Sequence, residues 1–427
     1  MNAEDHPLRA SLTHEVHARP FESMTAPCVV DRLVFLVDPN ARVQDVEHIS
    51  SLARALGVAP PEAHASHARL AAGSIRVLWE RHTEFVSYTF IRSLTSVDEV
   101  PASLAQGFDA QWLAQTPGER LSVSRVWVWA EPADDTLLRA RARLHEQSMV
   151  GASLGSGRHR VLTDFRMGHD GAVHYLLGAD PDVAPARLGR IVQRLLELET
   201  YRMMALLGLP AARAASASLA EGERAIAALT DAIRTAGHAD EGHLLQAVTA
   251  QAAELQAVYA ATDTRLAASA AYFALVDARL AELRETPFAE LLTLAEFLRR
   301  RLTPARDTCR ATSARLHSLS QRVMQVSGLL RTRVELAQLQ SQNALLHTMT
   351  RRQELQLKLQ STVEGLSVVA ITYYGASVVG LLAKGADELG WPVSPALATA
   401  FAVPIIAVGT WLLVRRVHHR LQRAIED

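Results

Sequence analysis

Two long apolar runs near the C-terminus are the strongest feature of the hydrophobic pattern. Residues 366–383 and 396–414 contain 18 and 19 residues without a charged side chain. At 1.5 Å per residue each would form a helix about 27–29 Å long, close to the thickness of the bilayer hydrocarbon. With 12 residues between them, the runs predict a transmembrane hairpin within residues 365–427, followed by a basic C-terminal tail. A helical hairpin buried in a soluble core is the alternative.

The basic residues around these runs predict the orientation of the hairpin. They precede the first run and follow the second, at Arg351, Arg352, Lys358, Arg415, Arg416, Arg420 and Arg423. The connecting loop has only Lys384, beside Asp387 and Glu388. Because basic residues concentrate on the cytoplasmic side of a membrane, we expect both chain termini in the cytoplasm. The predicted location is the inner (cytoplasmic) membrane, as a multi-pass protein whose first partner is the lipid bilayer.

A few residues inside the runs differ from the surrounding aliphatic sequence. Tyr373 and Tyr374 lie near the middle of the first run, and adjacent helical positions point about 100° apart. At least one hydroxyl is therefore expected to face protein rather than lipid. Ala376 and Gly380 form a small-xxx-small pair that allows close helix approach, and Pro404 should kink the second run. We interpret these residues as packing positions of the hairpin or of an oligomer; lining a pore is the alternative.

The middle of the chain, residues 182–364, has helical apolar spacing almost throughout. Helices are predicted at about 187–209, which Pro210 ends, and at 213–236 and 241–284. Breaks are predicted at Thr286-Pro287 and, more weakly, at Pro304, and residues 305–364 should form one helix that continues into the first run. Its heptad positions are apolar only at Leu316, Leu319, Val323, Val326 and Leu330. We expect a helical stalk packed within one chain, with a homo-oligomeric coiled-coil stalk as the alternative.

The N-terminal part, residues 1–181, has the pattern of an α+β domain. Strands are predicted at 28–37, 74–80, 84–92 and 124–130, and a hairpin at 158–167 and 172–179 across the turn Gly168-His169-Asp170-Gly171. Amphipathic helices are predicted at 43–57 and 136–148. The expected result is a mostly antiparallel sheet with helices on one face. The whole chain is thus predicted to be α+β, with a helical stalk and a two-helix transmembrane hairpin.

The densest polar cluster lies near the N-terminus, at His14, Glu15, His17 and Arg19. The two histidines have a spacing that can chelate a metal on one helical face. However, Pro20 opposes a continuing helix, and no third ligand is close in sequence. These residues are therefore weak ligand candidates, and a structural N-terminal segment is favoured. No metal or cofactor is predicted.

Two further segments have the composition of a site. Residues 151–157 are glycine-rich and precede Arg158, His159 and Arg160, so their backbone amides could cradle a phosphate. The segment precedes a predicted strand rather than a helix and lacks Gly-Lys-Ser/Thr, which favours a loop between a helix and a strand. Residues 79–84 place polar groups at a hairpin without an identifiable nucleophile, which favours a salt-bridged turn.

Composition narrows the functional classes. The 427 residues have a net charge of −1, which gives no general attraction to nucleic acid. The two cysteines, Cys28 and Cys309, lie too far apart in sequence to indicate a disulfide scaffold or a zinc module. No GxSxG, CxxC or GxGxxG element is convincingly placed. The chain is therefore not expected to be an enzyme.

Five segments together resemble a known family. They are LTHEVHARPF (12–21), LWERHTEFVSYTF (78–90), VLTDFRM (161–167), LLELETYRMMALLGLP (195–210) and QSTVEGLSVVAITYYG (360–375). They resemble the bacterial domain-of-unknown-function family 3422, described as predicted membrane-anchored proteins. The resemblance covers nearly the whole chain and implies a bacterial, integral membrane protein, but it implies no reaction.

Three functional hypotheses follow. The favoured one is a membrane-anchored scaffold or binding protein with a large cytoplasmic region and an unknown protein partner. The alternative is an oligomeric ion channel or transporter, since the order of domains resembles CorA-type magnesium channels. Their Gly-Met-Asn signature is absent, because residues 379–385 read VGLLAKG. The third is an enzyme that uses the clusters at 14–19 and 79–84, and it requires these clusters to meet in one cleft.

Overall fold

The computed structural model describes most of the chain and divides it into two compact units. The described residues are 6, 8–9, 12–13, 21–38, 42–95, 110–130, 133–235, 237, 240–390, 392 and 394–426. The first unit comprises Met1–Thr235 and Leu244–Ser327, and the second comprises Ala236–His243 and Gly328–Asp427. Each unit is described by itself.

A nine-stranded mixed sheet forms the centre of the first unit. Its strands are β1 (Cys28–Leu36), β2 (His67–Ala72), β3 (Ile75–Arg81), β4 (Phe85–Ser93), β5 (Glu119–Ala130), β6 (Val150–Leu154), β7 (His159–Met167), β8 (Val173–Ala179) and β9 (Thr286–Pro287). Their order across the sheet is β2-β3-β4-β1-β5-β8-β7-β6-β9. β5 and β8 run parallel, and every other neighbouring pair is antiparallel. The predicted α+β class with a mostly antiparallel sheet is confirmed.

The described helices are short in the N-terminal part and long afterwards. They are α1 (Arg42–Ala55), α2 (Ala110–Ala114), α3 (Ala133–Arg141), α4 (Pro185–Leu206), α5 (Gly208–Thr235), α6 (Glu241–Leu283), α7 (Leu294–Glu388) and α8 (Pro395–Glu426), with a 3₁₀ turn at Glu146–Ser148. The helix predicted at 136–148 is therefore too long. The chain leaves the helix after Arg141, and the backbone N–H of His145 instead donates to the Asp164 carboxylate at 3.1 Å.

Helices cover both faces of the sheet, so the expectation of helices on one face was wrong. Successive residues of a strand point to opposite faces, and on β5 Val126 joins one hydrophobic core while Trp127 joins the other. α4 packs on the first face through Leu188, Val192 and Leu195. On the second face α1 contributes Val46, Ile49 and Leu52. The strands are thus buried between two apolar layers. A strand that is covered on both faces has a continuous rather than an alternating run of hydrophobic residues.

Three strands, β2, β6 and β9, lie where the pattern predicted none. β6 occupies part of the segment predicted as a loop, and β9 lies between two of the long helices. Ser153 pairs with Thr286 across 133 residues of sequence. The Thr286-Pro287 break is confirmed, and its two residues extend the sheet edge. A proline is tolerated there because an edge strand need not donate on both sides.

The two prolines predicted to end or break a helix, Pro210 and Pro304, both lie within helices. α4 ends at Leu206, before Pro210, and Pro210 lies in the first turn of α5, where a missing N–H costs little. Pro304 does not interrupt α7. Leu298, Leu302 and Ala305 on either side of it are buried in the core of the first unit, so tertiary packing holds the helix through the proline.

α5, α6 and α7 pack together within the first unit. Leu219 and Ile226 of α5, Leu255 of α6, and Leu316 and Leu319 of α7 belong to one buried cluster. The first heptad positions of α7 are therefore occupied by contacts within this chain.

In the second unit, α7 and α8 approach through small residues. A Cβ atom on Gly375 would lie 3.1 Å from Ile406, and one on Gly380 would lie 3.1 Å from Thr399 Oγ1. Ala376 is buried. Larger side chains at these positions would push the helices apart.

Candidate functional site

The N-terminal candidates lie outside the part of the chain that the structure describes. This holds for His14, Glu15, His17 and Arg19. Their assignment as weak ligand candidates stays a sequence prediction.

The charged residues at the β3–β4 hairpin have partners away from the turn. Glu80 accepts hydrogen bonds from Arg32 Nη2 at 3.1 Å and from Ser87 Oγ at 3.3 Å. Glu84 accepts two from Arg265, at 3.0 and 3.3 Å. Both carboxylates are salt-bridged, as predicted, but their arginine partners lie on β1 and α6 rather than in the turn. This is a structural use of the groups, because each carboxylate is already held by a guanidinium.

A buried network crosses the sheet between β1, β5 and β8. Arg125 donates two hydrogen bonds to the Asp31 carboxylate, at 2.7 and 2.8 Å, and a third to Asp170 at 3.1 Å. Asp170 also lies 3.0 Å from His174 Nε2, and Trp127 Nε1 donates to His174 Nδ1 at 3.2 Å. Asp31 follows the apolar residues 28–30 and Arg125 precedes the apolar residues 126–130, and a charge beside such a run was the available sequence signal for a buried pair.

The protonation of this network follows from its donors. An indole N–H can only donate, so His174 Nδ1 accepts and the ring proton is on Nε2, where it is donated to Asp170. Burial raises the pKa of Asp170, but the hydrogen bond from His174, the Ala172 N–H and the charge of Arg125 together lower it below its ordinary value. Both nitrogens of His174 are thus engaged, one by the Trp127 indole and the other by the Asp170 carboxylate.

A cavity of about 490 Å³ lies beside the network. Its charged and imidazole-bearing lining residues are Arg125, Arg143, His145, Asp164, Arg166, His169, Asp170 and His174. The Arg143 guanidinium stacks over the rings of Trp127 and Trp129, at 5.3 and 5.4 Å. Positive and negative lining groups nearly balance, so the cavity has no strong preference for either sign of charge.

The glycine-rich segment forms the end of β6 and the turn between β6 and β7. Gly155, Ser156 and Gly157 have positive φ angles of 60°, 64° and 88°, a conformation that favours glycine. The prediction of a loop from a helix into a strand was wrong here, because residues 150–154 form a strand and the turn closes a hairpin. Arg160 Nη1 donates to the carbonyl oxygens of Gly157 and His159.

His159 and Arg187 meet at this turn. A Cβ atom on Gly155 would lie 3.1 Å from Arg187 Nη2 and 3.6 Å from His159 Nε2. Arg187 comes from the first turn of α4, far from the turn in sequence, so no local pattern could have joined these residues.

The second unit contains the four residues that the sequence singled out within the first span. Tyr373 and Tyr374 are each 69% exposed, with ring centroids 5.7 Å apart. Neither hydroxyl makes a hydrogen bond to any residue that the structure describes. Ala376 is buried, and a Cβ on Gly380 would lie 3.1 Å from Thr399 Oγ1 of α8. The structure thus separates the four predicted residues into an exposed tyrosine pair and a packed small-residue pair.

Three described stretches are long and apolar enough to cross a membrane, by length and composition. They are Pro185–Thr235, Leu294–Glu388 and Pro395–Arg416, and the most apolar window of each is 33%, 11% and 6% buried, respectively. The last two contain the predicted spans. The first contains α4, whose apolar stripe packs on the sheet.

Comparison with known proteins gives one match. The sequence model of the family described as "Protein of unknown function (DUF3422)" matches residues 4–421. No curated protein and no solved structure matches the chain.

Proposed function

The chain belongs to the DUF3422 family, and from this starting point we propose that it is an integral membrane protein of the bacterial inner membrane. In this proposal residues 366–383 and 396–414 are the two spans, and both termini lie in the cytoplasm. The α+β unit serves as a membrane-anchored scaffold or binding module for a partner that is not a nucleic acid.

The exposure of apolar side chains in the second unit carries this proposal. Thirteen large aliphatic or phenylalanine side chains within the two spans are exposed, for example Leu366 at 70% and Ile405 at 71%. Burying such a side chain is worth about 1.5–3 kcal/mol. Leaving the whole set in water would therefore cost on the order of 10 kcal/mol or more, which a surrounding bilayer removes.

The apolar stretch Pro185–Thr235 is not part of the proposed membrane region. Leu188, Val192 and Leu195 of α4 are fully or almost fully buried in the first unit. Insertion of this helix into a bilayer would expose the face of the sheet that it covers. Two spans, not three, are therefore proposed.

Site-directed labelling tests the orientation. Single cysteines are placed in the loop, as Ala386→Cys, and in the first unit, as Ala267→Cys, and are treated with a membrane-impermeant maleimide on bacterial spheroplasts. The native Cys28 and Cys309 are both buried, so background labelling should be low. We expect Cys at 386 to react in intact spheroplasts, and Cys at 267 to react only after permeabilisation. Release of the protein from membranes by alkaline carbonate, or labelling of both positions in intact spheroplasts, would contradict the proposal.

The tyrosine pair favours a second candidate, an oligomeric channel or transporter with the CorA-type layout. Tyr373 and Tyr374 lie about 10–15 Å from the two ends of the first span, too deep for a phenol to reach the interface. An unpaired hydroxyl in hydrocarbon costs about 4–8 kcal/mol. In an oligomer whose axis is normal to the membrane, the same residue of each copy lies at the same depth. Since a hydroxyl both donates and accepts, these tyrosines can then pair between copies.

Cross-linking and flux test this candidate together. Tyr373→Cys and Tyr374→Cys should form disulfide-linked oligomers in membranes, whereas Phe401→Cys, which is as exposed within the second span, should not. The wild-type protein in liposomes should conduct ions, and the linked forms should show altered flux. If neither tyrosine position cross-links and no flux is found, the anchored scaffold remains and the channel is discarded.

A further inference from the structure

We propose that a cavity at the end of the paired region between β5 and β8 binds a small carboxylate with an apolar body. The cavity has a volume of about 330 Å³, and it shares only Met167 with the cavity beside Arg125. Ligand pockets in proteins begin at about 300 Å³, so the space suits a small molecule. This inference concerns the first unit and does not depend on membrane insertion of the second.

The cavity forms where the sheet opens. β5 pairs with β1 from Glu119 onwards but with β8 only from Ser124 onwards, so residues 120–123 have no described strand on the side of β8. The register of β7 against β8 shifts before Met167, and Phe165 within this bulge has a φ of 53°. Bulges re-direct side chains, and left-handed backbone at a residue other than glycine is concentrated at functional sites. Phe165 and residues 120–123 all line the cavity.

A buried network holds one arginine of the cavity in place. Glu199 is 1% exposed and accepts hydrogen bonds from Tyr175 Oη at 2.9 Å, from Arg202 Nε at 3.1 Å and from Arg202 Nη2. Both oxygens of Glu199 are thus occupied, whereas Arg202 Nη1 has no hydrogen-bond acceptor among the described residues. Arg202 lines the cavity, and 14% of its side chain is exposed. A guanidinium that one carboxylate fixes, and that keeps a nitrogen available, is a preorganised donor for a second anion.

Two polar groups of β5 complete the set of donors. The Ser122 hydroxyl is buried and makes no hydrogen bond within the described part of the chain. A buried hydroxyl without a partner is costly, and a ligand oxygen in the cavity would remove this cost. Arg120 is exposed and has neither an ion pair nor a hydrogen bond with a described residue. Its guanidinium can therefore turn to a ligand without breaking an existing contact.

The charge and polarity of the lining select the ligand class. Arg120 and Arg202 bring two positive charges and Glu199 brings one negative charge, so the lining has an excess of one positive charge. A carboxylate balances this charge and matches the planar fork of a guanidinium, whereas a phosphate dianion would leave one negative charge uncompensated. The apolar body would contact the apolar side chains of the lining, which are Leu121, Val123, Phe165, Met167, Val173 and Met203.

Isothermal titration of the full-length protein in detergent, at low salt, tests the site, with titrations into detergent buffer subtracted. The probes are hexanoate and phenylacetate, and hexanamide and phenylacetamide are neutral comparisons of nearly the same shape. We expect at least one carboxylate to bind, and its amide to bind at least about tenfold more weakly, because the amide forms no charge-assisted hydrogen bond. Inorganic phosphate that binds more tightly than either carboxylate would overturn the assigned ligand class.

Matched variants separate a built site from general attraction. Arg120→Gln should weaken binding about tenfold, the loss expected for one charge-assisted hydrogen bond. Arg166→Gln removes the same charge from an exposed arginine of β7 that does not line this cavity, and should change the affinity less than twofold.

Ser122→Ala separates binding from folding. It removes the unpaired hydroxyl and should weaken binding about threefold, without lowering the melting temperature. The proposal is overturned if neither carboxylate binds the wild type, if the amides bind as tightly as the carboxylates, or if Arg120→Gln and Arg166→Gln weaken binding equally.

Discussion

A buried carboxylate on α1 makes a specific prediction about stability and pH. Asp45 is 1% exposed, and neither of its oxygens has a hydrogen-bond partner within the described residues. The Tyr88 hydroxyl is buried close to Asp45 and to the Trp79 indole. Burial raises the pKa of Asp45 from 3.8 to about 6, against the opposing charge of Arg81. We predict that Asp45→Asn stabilises the protein at neutral and alkaline pH.

The magnitude follows from the two pKa values. A raised pKa in the folded state means that folding favours the protonated acid. The contribution of protonated Asp45 to the free energy of unfolding is fully present below pH 3.8 and is lost as the pH rises through about 6. At 1.36 kcal/mol per pKa unit, ionised Asp45 destabilises the protein by about 3 kcal/mol at pH 8. Asparagine has nearly the same shape and cannot ionise, so the variant should avoid this penalty at pH 8 and differ little from the wild type near pH 4.

Thermal unfolding followed by tryptophan fluorescence measures the effect. Trp79 lies next to the site and reports on the first unit. For a unit of this size, the expected gain corresponds to a melting temperature about 5 °C higher at pH 8, with the difference shrinking towards pH 4.5. Glu221→Gln, on the exposed side of α5, removes an equal charge and should leave the melting temperature unchanged. A variant that is less stable than the wild type at pH 8, or a difference that does not vary with pH, would refute the reasoning.

Three further substitutions have outcomes that follow from packing or charge burial. Gly189→Ala would place a Cβ 1.7 Å from the carbonyl oxygen of Glu22, and we expect a loss of about 3 kcal/mol or more in unfolding free energy, measured by denaturant titration. Arg125→Met leaves the buried Asp31 carboxylate without its guanidinium, and should cost about 3–5 kcal/mol in the same assay. Gly380→Ile should separate the helices of the second unit, seen as a loss of cysteine cross-linking between them, whereas Gly380→Ala should retain most of it.

Local patterns predicted most of the regular structure. Alternating or continuous apolar residues located β1, β3, β4, β7 and β8, and helical spacing located α1 and the long helices α4 to α7. These signals involve residues within a few positions of each other, so the sequence carries them directly. β2 was missed because its sequence, HARLAA, has little β-propensity, and it is a strand because β3 pairs with it.

Helix boundaries depended on contacts that no local pattern contains. Proline signals placed breaks at Pro210 and Pro304, but the chain breaks at Leu207 and continues through Pro304. Buried leucines on both sides of Pro304 hold α7 against the first unit, and this packing outweighs the local cost of the proline. Beyond the end of α3, the backbone N–H of His145 donates to Asp164 of β7, a contact that no local pattern contains.

The sequence by itself determined the local elements: two charge-free runs long enough to span a bilayer, a long helix leading into the first, and strands with strong apolar periods. Only the tertiary structure decided which polar groups meet. Asp31 and Arg125 are 94 residues apart in sequence, Ser153 and Thr286 are 133 apart, and Arg187 reaches the β6–β7 turn from a separate helix. Such pairs depend on how two apolar faces of one sheet are covered, because burial brings distant side chains together and makes an unpaired charge or donor costly.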